Sequence, residues 1–518
     1  MAAESATGTE ASDPPRGGTE ETVARLWAEQ LGLERIGRRD DFFAVGGESL
    51  QAVRFVTALR NELRLDDVPG RLLVRMLLDT PVLHRFAERL DAARDGRVEP
   101  DRAPVDLHAE ARLDPSLHFG EPPPAGTTDP QAVLLTGATG FLGAFLTRRF
   151  LDDTTARLYC PVRATDPDDG LRRIAAALRR YELPLTDLEQ RVTAVPADLA
   201  EPRLGLDAHR FAQLADQVEV ILHNGAHVNF LYPYSRLAAA NVGGVRELIR
   251  LAAAGDPKPF HYVSSIAVHA GLGTTGRRQM PEDDPLGDPE LLGQGYAETK
   301  WVAETMLRAA AEQGLPVSLY RPGEITGTRD RGVQGTGTML SALFKAITDT
   351  GLAPAVPYEL NLIPVEVAAE ALVRLLLTAP ARGHAYHLVN PAPAPLSLLV
   401  ERAETLGYRI RQLPYDQWLR EMNRYTGAEP AAPIADYLPM FSERSAKTGL
   451  SVFEASFPGN MPDLATSNFT DAAGDTKIPA VDADLLDRYL RYWLSSGFLT
   501  PPTSPSEEAA APPGNRHS

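Results

Sequence analysis

The sequence predicts a small α-helical bundle followed by a doubly wound α/β domain that ends in a smaller C-terminal lobe. Three observations predict it. Apolar residues recur at helical spacing between about residues 20 and 93, a proline-rich stretch follows, and from Ala132 short apolar runs alternate with helical stretches. At 518 residues the chain exceeds the size at which one core stops growing, so two or three domains are expected.

Taken in order, residues 1–19 and 501–518 are rich in Pro, Gly, Ala, Ser and Glu and poor in large apolar residues, which predicts disordered ends. Residues 20–93 form the bundle, with Val23, Leu26, Trp27 and Leu31 on one helical face and Val53, Val56, Leu59 and Leu63 on another. Residues 94–130 contain Pro100, Pro104, Pro115, Pro122, Pro123 and Pro124 and suit a partly extended linker, of which Val105 to Leu117 can lie against the next domain. A free tether of these 37 residues would span about 30 to 37 Å and give an effective concentration near millimolar.

Residues 131–500 make the α/β domain. Strands are expected at Ala132–Leu135, Arg157–Val162, Val192–Pro196, Val218–His223, Phe260–Val263 and Val317–Tyr320, with helices between them. Such alternation implies a parallel sheet covered on both faces. Helices over 337–348, 364–378, 396–406 and 483–495 are assigned to the smaller, substrate-side lobe.

Composition narrows the function. With 43% hydrophobic and 23% charged residues the chain is ordinarily globular, and a formal charge of -17 argues against nucleic acid or an anionic membrane as partner. No run approaches the roughly 18 apolar residues of a membrane span, and Ala3 to Glu20 has no basic flank or apolar signal region, so a cytoplasmic protein is expected. Cys160 is the only cysteine, which excludes internal disulfides and a multi-cysteine metal site; its apolar surroundings predict a buried strand residue, and no metal is expected.

Two segments carry chemistry. In Asp-Asp-Phe-Phe-Ala-Val-Gly-Gly-Glu-Ser-Leu, residues 40–50, Gly46 and Gly47 permit a tight, positive-φ approach to a helix that starts near Ser49. That serine is either a plain helix cap or a hydroxyl at a helix N-terminus, where unpaired amides and the helix dipole welcome a phosphodiester. In Thr-Gly-Ala-Thr-Gly-Phe-Leu-Gly, residues 136–143, Gly137, Gly140 and Gly143 fit a strand, a tight turn and a helix start that let backbone meet a pyrophosphate, as in a Rossmann-type domain.

After the second strand, Arg163 stands where an acid would otherwise face a ribose 2′-hydroxyl, and an arginine suits a 2′-phosphate. Arg148 and Arg149 can assist or be solvated surface, while Asp166 keeps NADH open. Asp198, after the third strand, can bond an adenine amino group or cap the next helix. Tyr296 and Lys300, at i and i+4, share a helix face, so the lysine is expected to lower the phenol's pKa and hold the nicotinamide ribose. A bare Tyr-x-x-x-Lys is usually a surface pair, but this one follows the fifth strand of a glycine-rich fold. Ser265 follows that strand at its carboxyl end, where an open sheet binds ligands.

The first segment resembles the Asp-x-Phe-Phe-x-x-Gly-Gly-x-Ser-Leu motif of peptidyl carrier (thiolation) domains, over about Glu20 to Leu90. The resemblance implies that Ser49 carries 4′-phosphopantetheine. Residues 131 to about 500 resemble the extended short-chain dehydrogenase/reductases, most closely the thioester reductase domains that end nonribosomal peptide synthetases and carboxylic acid reductases. The likeness rests on His223-Asn224-Gly225-Ala226, Val228-Asn229-Phe230, Asn241-Val242-Gly243-Gly244 and Tyr320-Arg321-Pro322-Gly323-Glu324-Ile325.

That likeness implies Ser265, rather than its neighbour Ser264, with Tyr296 and Lys300 as the catalytic Ser/Thr, Tyr and Lys. It also implies a cofactor site made of Gly137, Thr139, Gly140, Phe141, Leu142, Gly143, Arg163, Asp198, Leu199, Asn224, Gly225, Ala226, Tyr296 and Lys300. The expected activity is NADPH-dependent reduction of a carrier-bound acyl or peptidyl thioester to an aldehyde, with a second hydride giving an alcohol. A phosphopantetheinyl transferase and an upstream adenylation or synthetase module are the expected partners. The alternatives are a cofactor-retaining epimerase or dehydratase of the same fold, and a non-catalytic carrier or interaction protein.

Overall fold

The computed structural model describes residues 13–502 except Glu48, 66–69, 95–104, 121–128, Leu231, Pro380, Arg382, Pro430 and Ala446, and leaves out the side chains at 49, 50, 53, 57, 61, 70–72 and 75. The described residues fall into two compact units, one bounded by Met1–Val105, Leu231–Pro233 and Arg420–Pro439, the other by Asp106–Phe230, Tyr234–Leu419 and Met440–Ser518.

In the first unit, α1 (Gly17–Leu31), α2 (Ser49–Leu63), α3 (Gly70–Asp79) and α4 (Leu83–Arg94) form the bundle. Helix α1 begins inside the segment expected to be disordered, because Arg16 N donates to Glu20 and Glu20 also binds Arg38 at 2.9 Å. The remainder of both expected disordered ends, 1–12 and 503–518, lies outside the described residues, as does the side chain of Val53. Trp27 is fully buried at the centre, edge-on to Phe42 at 5.0 Å and to Phe55 at 5.9 Å.

In the second unit, β1 (Ala132–Thr136), β2 (Arg157–Val162), β3 (Val192–Pro196), β4 (Val220–His223), β5 (Phe260–Val263) and β6 (Val317–Pro322) stand where the apolar runs put them, within two residues at each end. A short β7 (Glu324–Thr326) pairs in parallel with β8 (Leu362–Pro364), outside the main sheet. A further sheet strand, β9 (His384–Leu388), completes the parallel order β9-β6-β5-β4-β1-β2-β3. The order reverses between β1 and β4, which opens a crevice at the strands' carboxyl ends.

Helices α5 (Phe141–Asp153), α6 (Pro167–Arg180), α7 (Ala208–Gln217), α8 (Gly244–Ala252) and α9 (Gly295–Glu312) connect the strands. Of the later helices, α10 (Met339–Thr350), α12 (Leu396–Thr405) and α13 (Ala483–Ser495) agree with the sequence reading within about two residues. Helix α11 (Val365–Thr378) corrects it. It packs on α5 within the core that covers the sheet, rather than in the lobe, because Val365, Ala368, Ala369, Leu372, Leu375 and Leu376 present an apolar face there. In the lobe, Arg402 of α12 holds Asp487 of α13 through two bonds of 2.8 and 2.9 Å.

The linker is not free throughout. Leu107, Leu113, Leu117 and Phe119 pack against the core beneath α8 and α9, and Arg246 and Arg250 pair with Glu110 and Asp114. Residues 95–104 and 121–128 of the linker lie outside the described residues.

Cys160 is fully buried in β2, where burial pushes its thiol up to about 12. A water-soluble disulfide reagent should therefore label native protein to less than about one tenth of the extent seen in denaturant over the same time, since the thiolate is the reactive form. Stoichiometric labelling of native protein at the denatured rate would show that β2 opens.

Candidate active site

The dinucleotide end of the crevice is built from backbone. Gly137, at φ 74°, turns the chain out of β1, and a Cβ there would stand 2.9 Å from Asn224 Nδ2 and from the Gly225 backbone. Gly143 packs still closer, since a Cβ would sit 1.9 Å from Gly137 O. Gly225 closes on Leu199 and Thr136, and its N–H donates to Thr136 Oγ1 at 2.8 Å. Gly140 caps α5 without a side-chain bond, which leaves the first-turn amides beside Thr139, Phe141 and Leu142 for an anion. A turn this tight, with a Cβ excluded at Gly137, Gly143 and Gly225, fits the pyrophosphate of a nicotinamide dinucleotide.

Around that cradle the residues divide. Arg163 is exposed at the end of β2, with no ion-pair partner among the described residues. Partial burial and then the Arg163 charge hold the His227 imidazole below its usual pKa, so Arg163 lies beside the Asn224–His227 loop that also contains Ala226. Asp198 caps its turn, accepting from Ala200 N at 2.9 Å, while Leu199 reaches Gly225 and Gly244. Arg148 is buried and spent on Asp152, Pro184 O and Thr186 O, and Arg149 pairs with Asp153, so neither is a free phosphate ligand. Asp166 caps α6 through Asp169 N.

At the other end, α9 starts at Gln294, whose side chain accepts from Ala297 N, and sets Tyr296, Lys300 and Glu304 one turn apart on one face. Lys300 is buried; its Nζ donates to Val263 O at 2.7 Å, at the end of β5, and lies 4.7 Å over the Tyr262 ring and 5.8 Å from that of Tyr296. Burial lowers its pKa to about 7, against the pull of Glu304. Tyr296 rests edge-on against Phe230 at 5.5 Å. Burial raises its phenol above the ordinary tyrosine value, which corrects the expectation that Lys300 lowers it: desolvation governs the phenol.

The two serines after β5 separate cleanly. Ser264 is buried and donates to Glu304 Oε2 at 3.0 Å, whereas Ser265 is half-buried at the start of a 3-10 turn over Ile266–His269 that packs on α9. Ser265 follows β5 and Lys300 Nζ, beside the Tyr296 ring, reaches Val263 O at the carboxyl end of that strand, one strand from β4 and its Asn224–Gly225 loop. The Ser49 side chain lies outside the described residues. Its surroundings are defined: α2 starts at Ser49, Gly46 has φ 103°, and a Cβ on Gly47 would strike the Phe42 ring at 2.4 Å.

Sequence reasoning missed three residues that hold this site. Glu304, without exposure, forms an ion pair with Arg321 of β6, equally buried, and accepts from Arg308 at 3.3 Å. Arg321 also donates to Glu282 O at 2.9 Å and His387 Nε2 at 2.9 Å. Asn241, in a π-helical turn over Ala239–Gly243, bridges His227 O and Thr299 Oγ1, both at 3.1 Å, and so joins the loop before Phe230 to α9. The signal for Glu304 was its i+4 spacing from Lys300; for the other two it was the quoted segments alone. Among the described residues no cluster suits a metal ion, and no helix is long and apolar enough to cross a membrane.

A parallel sheet in this order, with a glycine cradle at its switch point, defines the extended short-chain dehydrogenase/reductase fold. Residues 135–372 match the NAD-binding family described as male sterility protein, and residues 21–90 match the phosphopantetheine attachment site. The chain is 35% identical over 91% of its length to a linear gramicidin synthase of Brevibacillus parabrevis, and 35% identical over 95% to the isonitrile lipopeptide synthase of Streptomyces coeruleorubidus. It spans 9% and 33% of those two proteins. The crystal structure of the terminal R domain from the myxalamid PKS-NRPS biosynthetic pathway matches 77% of the chain and 99% of its own at 37% identity, with a TM-score of 0.70. The chain belongs to the family of thiolation and terminal reductase domains of nonribosomal peptide synthetases.

Replacing Glu304 by Gln leaves Arg321 buried without its counter-charge, which should cost about 3 to 5 kcal/mol in chemical denaturation. Burial tends to raise the Glu304 carboxyl, but the charge and bonds of Arg321, with Arg308, hold it at about 2. Its folded pKa is depressed, so its stabilisation is full above the unfolded value near 4.5 and is lost as pH falls toward 2. The variant should lack that part of the acid slope; an unchanged slope would remove Glu304 from the account.

Proposed function

We propose that this chain reduces an acyl or peptidyl thioester carried by its own thiolation domain and releases it as an aldehyde, with NADPH as the hydride source. The observation that carries the reading is Lys300, buried against Val263 O beside Tyr296, in a chain whose other unit matches the phosphopantetheine attachment family. A 4′-phosphopantetheine on Ser49 would present the acyl group. A phosphopantetheinyl transferase would install it, and an upstream adenylation or synthetase module would load it. The setting we propose is cytoplasmic, on the acidic composition and the single buried thiol.

The bound nicotinamide cofactor supplies the hydride. Tyr296, protonated near neutral pH, donates to the carbonyl oxygen as negative charge develops, and Ser265 offers a second donor from the turn after β5. Lys300, held by Val263 O beside the Tyr296 ring, would hold the nicotinamide ribose; its pKa of about 7 lets it exchange a proton near neutrality. Collapse of the hemithioacetal expels the thiol and leaves the aldehyde, and a second round would give an alcohol. Gly137, Thr139, Gly140, Phe141, Leu142, Gly143, Leu199, Asn224, Gly225 and Ala226 would line the dinucleotide, with Asp198 near the adenine and Arg163 at the 2′-phosphate.

In single-turnover hydride transfer to a carrier-bound thioester, Tyr296→Phe should lower the rate by about 100- to 1,000-fold while NADPH affinity stays nearly unchanged. Lys300→Ala should lower both, and Ser49→Ala should block the tethered substrate while sparing a soluble thioester. Near wild-type transfer by Tyr296→Phe would refute the reading.

Arg163→Ala should weaken NADPH by about 1.5 to 3 kcal/mol, the scale of a charge-assisted hydrogen bond, and NADH far less. Equal affinity of the wild type for both cofactors in a calorimetric titration would refute the choice of NADPH.

A further inference from the structure

His223 is a buried histidine that the proposed hydride transfer does not use. It ends β4, with Thr136 of β1 opposite it on one side and Tyr262 of β5 on the other, so the three residues stand in one row across the sheet. Its ring stacks on that of Tyr262 at 5.5 Å, and Lys300 Nζ lies over the same Tyr262 ring. Its Nδ1 is 2.7 Å from Thr136 Oγ1, and the same oxygen accepts from Gly225 N at 2.8 Å. Among the described residues these two are the partners of the buried hydroxyl.

Proton counting assigns the direction of the bonds. The Thr136 hydroxyl carries one proton, and the Gly225 amide occupies a lone pair, so the proton goes to His223 Nδ1. The opposite direction, from an Nδ1–H to Thr136, would leave the hydroxyl proton as well as Nε2 without a partner. Nε2 has none among the described residues in either case. Burial, and then the charge of Lys300, lowers the His223 pKa to about 3, so Nδ1 keeps the lone pair that Thr136 needs. Packing does not explain a histidine here. A phenyl ring would stack on Tyr262 as well and would bury no unsatisfied nitrogen.

The bond matters because of where Thr136 and Gly225 stand. Thr136 precedes Gly137, whose turn leaves β1, and Gly225 lies in the turn that leaves β4. The two turns touch: a Cβ on Gly137 would come within 2.9 Å of Gly225 Cα, and one on Gly225 within 3.2 Å of Gly137 N. A hydroxyl without an acceptor rotates, and it can then turn its proton toward the Gly225 N–H in place of a lone pair. With His223 taking that proton, a lone pair is held toward Gly225 and the separation of the two turns is set.

We propose that His223 is a positioning residue for the dinucleotide, acting through Thr136 to hold the β4 turn against the β1 turn in the arrangement that receives the part of the cofactor common to NADH and NADPH. The proposal rests on the dinucleotide reading of the glycine turns. It adds a residue that acts on the cofactor only through its neighbours.

The test is equilibrium titration of the full chain with NADPH and with NADH, followed by nicotinamide fluorescence, alongside thermal unfolding of each unliganded variant. His223→Phe keeps the ring and loses Nδ1, so Kd should rise about ten-fold for both dinucleotides, the scale of one buried hydrogen bond. His223→Asn loses the ring but sets its amide oxygen where Nδ1 stood, so Kd should return to within about two-fold of the wild type although this variant is the less stable of the two. His223→Gln, whose amide oxygen falls at the Nε2 position, should bind as weakly as His223→Phe. Thr136→Val removes the hydroxyl, should weaken both dinucleotides by a like factor, and serves if the histidine variants do not fold; adding His223→Phe to it should weaken binding no further. Wild-type affinity in His223→Phe or Thr136→Val, an affinity that follows stability across the variants, or a loss confined to NADPH would overturn the proposal and leave the reading of the glycine turns intact. A wild type that binds neither dinucleotide would overturn both.

Discussion

The buried pair of Glu304 and Arg321 sets the geometry on which the candidate active site depends. Two ions without exposure are costly to desolvate, and they persist only with partners at every face. Here Ser264, Arg308, Glu282 O and His387 supply them, so α9, β6, β9 and the end of β5 are tied through one carboxylate and one guanidinium. Because Tyr296, Lys300 and Glu304 are spaced one turn apart, anchoring the third fixes the rotation of the helix that presents the first two. Helix rotation by one residue would swing Tyr296 about 100° away from the strand ends. The same network continues outward, since Glu282 accepts from the amides of Asn468 and Phe469 and His387 meets Ala465 O at 2.7 Å.

Burial pulls the ionisable groups of this face in different directions, and the presence of a counter-charge decides the result. Glu304 has Arg321 and is held at about 2; Lys300 has a carbonyl and two ring faces and falls to about 7. Tyr296 has neither and rises. A phenol kept protonated donates to a developing oxyanion, whereas a phenolate has no proton to give.

The strands were legible because each is a short apolar run between turn residues, and burial on both faces removes any need for alternation. The exception, β9, reads Gly-His-Ala-Tyr-His-Leu. It carries two histidines in five positions, and its burial depends on His387 finding Arg321, a contact between residues 66 apart in the chain that no local pattern encodes. Helix α11 was legible as a helix but not as part of the sheet core, since amphipathicity states that a face is buried and not against what. In the site, Tyr296, Lys300 and the glycines were readable from spacing. Choosing between Ser264 and Ser265 is a matter of which faces inward at a strand end, and the role of Glu304 depends on Arg321, 17 residues away in the chain. The pairing of Arg148 with Asp152 and Arg149 with Asp153 was within reach of the i, i+4 rule, and applying it removes both from the phosphate site.

The two ends of the crevice are held by different physics, and substitution acts on them differently. The dinucleotide end is defined by what is missing: at Gly137, Gly143 and Gly225 neighbouring backbone or side chains occupy the volume where a Cβ would stand. At Gly143 every close neighbour is backbone, so an added Cβ there displaces backbone, whereas at Gly137 and Gly225 it also meets the side chains of Asn224, Leu199 and Thr136. The carbonyl end is defined by what is present, a chain of side-chain bonds from Ser264 through Glu304 and Arg321 to His387. Removing one member leaves another buried and unpaired, and the cost spreads to the elements it joined. Backbone cradles tolerate variety in the side chains around them, whereas a charged network fixes its members as a set. This is why a dinucleotide-binding domain can be read from glycine spacing, while the charged network emerges only from the fold.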